Sequence, residues 1–530
     1  MKIMAETMID PYLNKAWKDA CRILFGQEIG ELADYSDWLA EMVDAPMAKK
    51  SSISGKEVIH SRAEYAEKSR SISLDEIDIT KKFEPLNINE IKDIDSIVEA
   101  ISDRILYTGN IVLGNSKEIQ KSSNINDSFY VDNTTLSGNS KYMAFCTLAR
   151  MDTYGFGGNA FSQCDFCIKC HELTRVKRSF ELWMSQDCSD CYYSHGLKNS
   201  TNCFFSFNLD NARYTIGNLV LLPDKYKELK TKLVSEMMEE LKSKKRLPSL
   251  PEIVNECTNG TLLPENKTNA SVARATDNVK INEEFAKTFE IIFKKKPTRQ
   301  IDEYASWLSR HVRGFERCKS AASGKEVFLA KYGNYCDLPK NRLLTLDEAK
   351  GIGQTLKLTA DEVSDISFKN ASKKIGKIAF FNTDIQDGQN ANNLECTIMI
   401  DAFNCYRSVC SVYSKFCAYS FWPRSSQHIF GGDTVFDSGF CINSYNSVNL
   451  QRCVEMDGCN TCSDSYFCHN CENLTNSMFC FNTKNKRYAI GNAELGMDGY
   501  AKIKSGIMEQ LCQELEKSGT TKYDIFGLGR

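Results

Sequence analysis

Eighteen of the 23 cysteines fall within residues 131–206 and 396–480, and all of them except Cys410 keep one phase of three. From Phe161 to Ser206, and again from Val435 to Cys480, every third residue is Cys, Ser, Leu, Val, Met or Phe. The residues between are crowded with Asn, Asp, Lys, Glu and aromatics. A period of three matches neither a helix nor a plain strand. It fits a tight coil in which short strands alternate with turns and every third side chain enters a narrow interior. That coil is a β-solenoid, whose rungs bury their inward residues only by stacking on one another. Cys and Ser are small enough for such an interior. Cysteine separations of 9, 12 and 18 recur, which leaves rungs of roughly 12 and 18 residues both open.

The chain is also written twice. YSDWLAEM at Tyr35 and SGKEVIH at Ser54 return as YASWLSRH at Tyr304 and SGKEVFL at Ser323, both 269 residues later. SISLDEI at Ser71 returns as LLTLDEA at Leu343, 272 residues later, and RYTIGN at Arg213 returns as RYAIGN at Arg487, 274 residues later. The expected fold is α+β: a tandem duplication in which each copy has an N-terminal helical segment, a Cys/Ser-lined parallel β-solenoid and a closing helix. The divisions are a helical segment at 1–130, solenoid at 131–220, closing helix at 221–247 and linker at 248–280. The second copy follows with a helical segment at 281–390, solenoid at 391–494, and closing helix with tail at 495–530. Pro, Asn and Thr between the copies read as a linker. Ser73–Glu76 and Thr345–Glu348 have capping-box spacing and predict short helices. In the closing segments, Tyr226, Leu229, Leu233, Met237 and Leu241 share one helical face, as do their counterparts Tyr500 to Leu515.

The end of each cysteine array carries Asn211, Tyr214, Ile216, Asn218 and Tyr226, or Asn485, Lys486, Tyr488, Ile490, Asn492 and Tyr500. This pattern resembles the LxNKxYxIxN ending of an uncharacterised family of prokaryotic cysteine-rich repeat proteins, over about a third of the chain. Members of that family often begin with a zinc ribbon. Here Cys21 is the only cysteine before Cys146, so that module is missing. The resemblance implies a repeat fold and supplies no activity.

Cys164, Cys167 and Cys170 have the spacing that opens a ferredoxin cluster motif, and Cys459, Cys462, Cys468 and Cys471 resemble paired zinc knuckles. The duplication argues against both readings. At an offset of 274 the first set becomes Ser438, Cys441 and Ser444, and the second becomes Ser185, Cys188, Ser194 and Leu197. Interchange with Ser and Leu is the behaviour of a core position. Cys167, Cys188, Cys191, Cys203, Cys441, Cys453, Cys462 and Cys480 are therefore read as structural core. No cofactor is expected, with zinc or iron–sulfur as the alternative.

Only one histidine pair matches between the copies, His195 with His469, and Asp190 and Asp464 lie five residues upstream. These four are the candidates for acid–base chemistry; a turn aspartate and a surface histidine are the simpler reading. No nucleophile elbow, P-loop, HExxH or dinucleotide fingerprint occurs. Tyr192 and Tyr193 match Tyr466 and Phe467, out of phase with the interior, and are expected to point outward, either to anchor a partner or to pack under their own helices.

Lys plus Arg is 66 against Asp plus Glu 69, which gives no bulk charge for holding nucleic acid. No run of 18 apolar residues exists, so no membrane span is expected. The acidic N-terminus does not read as a signal peptide, and a cytoplasmic location follows. The best functional expectation is a non-enzymatic scaffold with protein partners or a homo-oligomer. A thiol-rich metal-binding protein and a solenoid enzyme acting on a sugar or polymer are the alternatives.

Overall fold

The backbone supplies the physical reason for the period of three. Every third residue from Glu118 to Gly217, and from Asn392 to Gly491, has a positive φ. Each is a corner, and the residue after it points inward: Phe166 turns at φ 55°, and Cys167 enters the core. Four triplets close one rung. Lys141 pairs in parallel with Thr153 and Met143 with Gly155, and in the second coil Thr397 pairs with Val409, so the register is 12 residues and the 18-residue alternative is excluded. The computed structural model describes residues 9–87, 91–257, 277–332 and 337–529.

A left-handed residue with a side chain costs about 1–2 kcal/mol, so the corners need compensation. Asn, Asp and Gly accept the conformation most readily. Elsewhere the corner side chain stacks on its counterpart a rung away. Tyr130, Tyr142, Tyr154 and Phe166 form one such column, with successive ring centroids 5.2, 4.9 and 4.2 Å apart. Arg175–Asp187 and Arg178–Asp190 continue the same logic as two-pronged ion pairs 12 residues apart.

Inside the coil a small polar atom has a specific task. The Leu197 N–H donates to Ser185 Oγ at 3.0 Å, and that hydroxyl donates to the Trp183 carbonyl at 2.8 Å. At the matching position Cys459 offers its thiol to the carbonyls of Asp457 and Cys468, both at 3.4 Å. Even Asp152 occupies an inward position, accepting the Cys164 N–H at 2.8 Å, and burial pushes its carboxyl well above the usual range. Where a large residue enters, a small one yields: a Cβ on Gly158 would lie 2.5 Å from the Phe161 ring.

The first coil starts earlier than residue 131, with strands Val112–Leu113 and Lys117–Gln120, because its opening rungs use Ser122, Ile125 and Ser128 rather than cysteine. It runs to Leu219–Val220; the second runs from Gln386–Asp387 to Ala493–Glu494. The α-helices of six or more residues among the described residues are α1 (Pro11–Phe25), α2 (Ile94–Ala100), α3 (Pro223–Lys244), α4 (Leu250–Asn255), α5 (Val279–Phe293), α6 (Leu346–Thr355) and α7 (Gly496–Ser518). Asp10 caps α1 through the N–H groups of Tyr12 and Leu13, and Gly26 ends it at φ 75°. Its buried face lies across Phe156 and Phe180, with Trp17 5.3 Å from Phe156 and Phe25 5.1 Å from Phe180. Each such ring is worth about 1.5–3 kcal/mol of burial. α5 serves the second coil likewise, with Phe285 5.2 Å from Phe430.

The segments between the first helix and the coil are not purely helical. Met47–Lys50 pairs with Glu57–His60, and Ser71–Ser73 with Tyr107–Gly109; Phe315–Lys319, Glu326–Ala330, Leu343–Leu344 and Phe381–Asn382 repeat that plan. Their packing is reciprocal. Residues 65–107 share a core with the second coil, α5 and α7, whereas residues 318–381 share one with the first coil, α1 and α3. The expected linker is folded at its start, where α4 buries Leu250, Ile253 and Val254; its residues 258–276 lie outside the described residues.

Candidate functional site

The C-terminal end of each coil must satisfy its last unpaired backbone groups. Asn218 does so with its side-chain amide, accepting the Phe207 N–H at 2.8 Å and donating to the Phe207 carbonyl at 3.1 Å. Asn492 repeats this on Phe481 at 2.8 and 2.7 Å. The last Asn of the sequence motif is therefore an imitation rung. The exchanged segment then closes over it: the Leu358 N–H donates to the Gly217 carbonyl at 2.9 Å, and a Cβ on Gly217 would meet the Leu358 side chain at 2.3 Å.

At these ends sit the two matching histidines, and neither works with its neighbouring aspartate. Asp190 is held by Arg178, and Asp464 by Arg452 at 2.8 Å through both oxygens. His195 donates from Nε2 to the carbonyl of Asn382 at 3.1 Å. His469 instead accepts the Thr108 N–H at Nε2, 2.8 Å away, so Nδ1 carries the proton that Asp457 Oδ2 accepts at 2.8 Å. Both rings are buried, at 0% and 1% exposure, and closed to a substrate. Burial pulls His195 down to about 3.

Around His469 the structure gathers residues that sequence spacing does not connect. Tyr65 donates to Asp457 at 2.7 Å. Arg62 lies 3.2 Å from Asp433, which also takes Arg313 at 2.6 Å. Burial opposes the charge on Asp433, but Arg313 and Arg62 outweigh it and hold the carboxyl at about 2. Glu455 accepts the Asn443 amide and the Ile525 N–H, both at 2.9 Å, docking the segment after α7. Its counterpart Glu181 accepts the Leu250 N–H at 3.1 Å, docking the segment after α3. Burial pushes Glu181 to about 7 and Glu455 to about 8. These groups fasten chain segments together.

Tyr192, Tyr193, Tyr466 and Phe467 do point out of the coil, yet they are only 0–2% exposed. The Tyr192 hydroxyl donates to the Leu24 carbonyl at 2.8 Å and that of Tyr193 to the Pro248 carbonyl at 2.9 Å. Helices cover them, so in this structure they present no surface to a partner. The proposed metal ligands Cys164, Cys167, Cys170, Cys459, Cys462, Cys468 and Cys471 are buried free thiols, as are Cys188, Cys191, Cys203, Cys441, Cys453 and Cys480. Among the described residues no group of three or more His, Cys, Asp or Glu is arranged to hold a metal.

One open feature is a cleft of about 460 Å³ between the coils, lined by Arg150, Met151, Glu172, Tyr413, Trp422 and Arg424. Met151 and Tyr413 are 41% and 55% exposed, large apolar surfaces left uncovered. Burial pushes Glu172 to about 8, although its hydrogen bond from Tyr332 pulls the other way. The sequence held one sign of this site, since Arg150 and Arg424 match at the 274-residue offset. No family model, curated relative or solved structure matches the chain. Among the described residues no helix is long and apolar enough to cross a membrane.

Proposed function

We propose that this protein is a tandemly duplicated relative of the cysteine-rich repeat proteins and serves in the cytoplasm as a non-enzymatic scaffold within a larger protein assembly. The observation that carries the reading is apolar surface left where each coil passes into its closing helix. Val220 and Leu222 are 70% and 79% exposed where the first coil passes into α3, and Met497 is 62% exposed where the second passes into α7. Exposed apolar groups beside a fixed frame suit protein contacts. The matching histidines and aspartates support the same view, because hydrogen bonds and ion pairs within the chain occupy them.

The test is the native mass of the protein in gently prepared extract, measured by light scattering. A species well above 60.0 kDa that persists from about 50 to 200 mM salt is expected, and Leu222→Asp combined with Met497→Asp should reduce it to the single chain. A lone 60.0 kDa species under all these conditions would overturn the reading.

A further inference from the structure

Arg150 ends the strand Thr147–Arg150 of the first coil, and Arg424 ends Phe421–Arg424 of the second. They are the same residue at the same register, and the packing of the coils brings both into one cleft. Almost every other buried or half-buried arginine of the described residues is tied down, as Arg62, Arg178, Arg313, Arg407 and Arg452 are by carboxylates. Arg150 and Arg424 have no carboxylate within 4 Å among the described residues, although Arg424 lies over the Tyr413 ring at 5.9 Å. Both are half-buried. Burial lowers the Arg150 pKa, the Arg424 charge lowers it further, and only exposed Asp437 opposes them. Two like charges brought together in a partly dry cleft, with no carboxylate paired to either, are an uncompensated cost unless something anionic completes the set.

We propose that the cleft between the coils binds one compact oxyanion, a carboxylate or phosphate group, clasped between the guanidiniums of Arg150 and Arg424. The planar fork of arginine suits two-pronged recognition of such groups. The cleft is also lined by Asp210, Lys350 and Asp384, the last of which accepts the Gln386 amide and the Ile398 N–H. Arg175 is satisfied by Asp187, and Lys198 lies 3.5 Å from Asp387. Glu172 is already bound by Tyr332 and is raised toward the neutral acid. Met151, Tyr413 and Trp422 beside the arginines would hold the apolar body that carries the anion. The oxyanion belongs either to a free small molecule or to an acidic side chain of a partner protein. The inference rests on the cleft alone and stands whether or not the protein is a scaffold.

The test titrates the full-length chain with inorganic phosphate, citrate and a hexaglutamate peptide by calorimetry, and follows melting temperature with each. One saturable site is expected, with phosphate or citrate favoured if the natural ligand is a small molecule and the peptide favoured if it is a protein side chain. Arg150→Gln and Arg424→Gln should each weaken binding by about tenfold or more, and Arg424→Lys should restore part of it. Without ligand, each Gln variant should melt slightly higher than the parent, because a like-charge contact is relieved. A purely structural arginine would give the opposite sign. No binding of any of the three probes at millimolar concentration, or binding unchanged in both Gln variants, would overturn the proposal.

Discussion

His195 and His469 occupy one register in two coils and use opposite hydrogen-bonding states. The exchanged segment reaches His195 with the carbonyl of Asn382, so Nε2 donates; it reaches His469 with the N–H of Thr108, so Nε2 accepts. The surroundings diverge with them. Beside His195 the neighbouring rung carries Trp183, its ring tilted against His171 at 4.5 Å; beside His469 the same position carries Asp457. One further position pairs Asn159, whose amide makes no hydrogen bond among the described residues, with Asp433, clasped by two arginines. The same backbone thus carries an aromatic cluster in one half and a buried ion network in the other. The frame is set by the corners and the inward triplets, and the outward column is free to take either filling.

The comparison breaks most sharply at Asp433. Asp433→Asn, which copies Asn159, removes the buried charge that Arg62 and Arg313 share, leaving Arg62 only Glu64 and the His311 carbonyl, and should cost about 3–5 kcal/mol in urea unfolding. The reverse change, Asn159→Asp, should cost a similar amount by burying an unpaired carboxylate. A loss below 1 kcal/mol in both would show that the network contributes little.

The interiors should differ less. Ser185→Ala orphans the Leu197 N–H and should cost about 1–3 kcal/mol. Cys459→Ser, at the matching position, should be mild, under about 1 kcal/mol, since a hydroxyl already fills that role in the first coil. Similar melting losses for the two variants would refute the division of labour between Ser and Cys.

Titration sharpens the picture further. Glu172, Glu181 and Glu455 have folded pKa values raised to about 8, 7 and 8. Their contribution is fully present below about 4.5, the unfolded value, and is lost as pH rises through 7 to 8. His60 and His195, lowered to about 3, contribute above about 6.5 and lose that contribution as pH falls toward 3. The melting temperature should therefore decline on both sides of mildly acidic pH. Glu455→Gln should flatten the alkaline side, and an unchanged alkaline slope would count against the burial of that carboxyl. The smallest effect belongs to the rim: Asp190→Asn and Asp464→Asn each remove a half-exposed ladder pair and should cost no more than about 1 kcal/mol.

Much of the fold was legible because the interior repeats. A phase of three survives wherever a side chain must be small, and it marked Cys188 and Cys462 without any contact being known. The rung length was not legible, because every inward position looks alike and only the corner columns, such as Tyr130, Tyr142 and Tyr154, carry a period of 12. The exchange of segments was invisible for another reason. Thr108 and Asn382 match each other equally well whichever coil they cover, so the repeat cannot say which half a segment serves. The Arg62–Asp433–Arg313 cluster lacks any repeat at all, since Asn159 replaces its centre in the first coil. The arginine pair of the cleft was visible as two matching letters whose meeting depended on how the coils pack.

The reciprocal packing also sets a clock on synthesis. His195 waits for Asn382, 187 residues later in the chain. At about 5–20 residues per second on the ribosome, that is a delay of roughly 10–40 s. Through that interval the first coil has its cysteine ladder but not the segment that covers its end. A nascent chain with an open strand edge invites pairing with its neighbours on the same messenger. Asn218 lies only 11 residues beyond the Phe207 backbone it satisfies, so this edge can be closed almost as soon as it emerges.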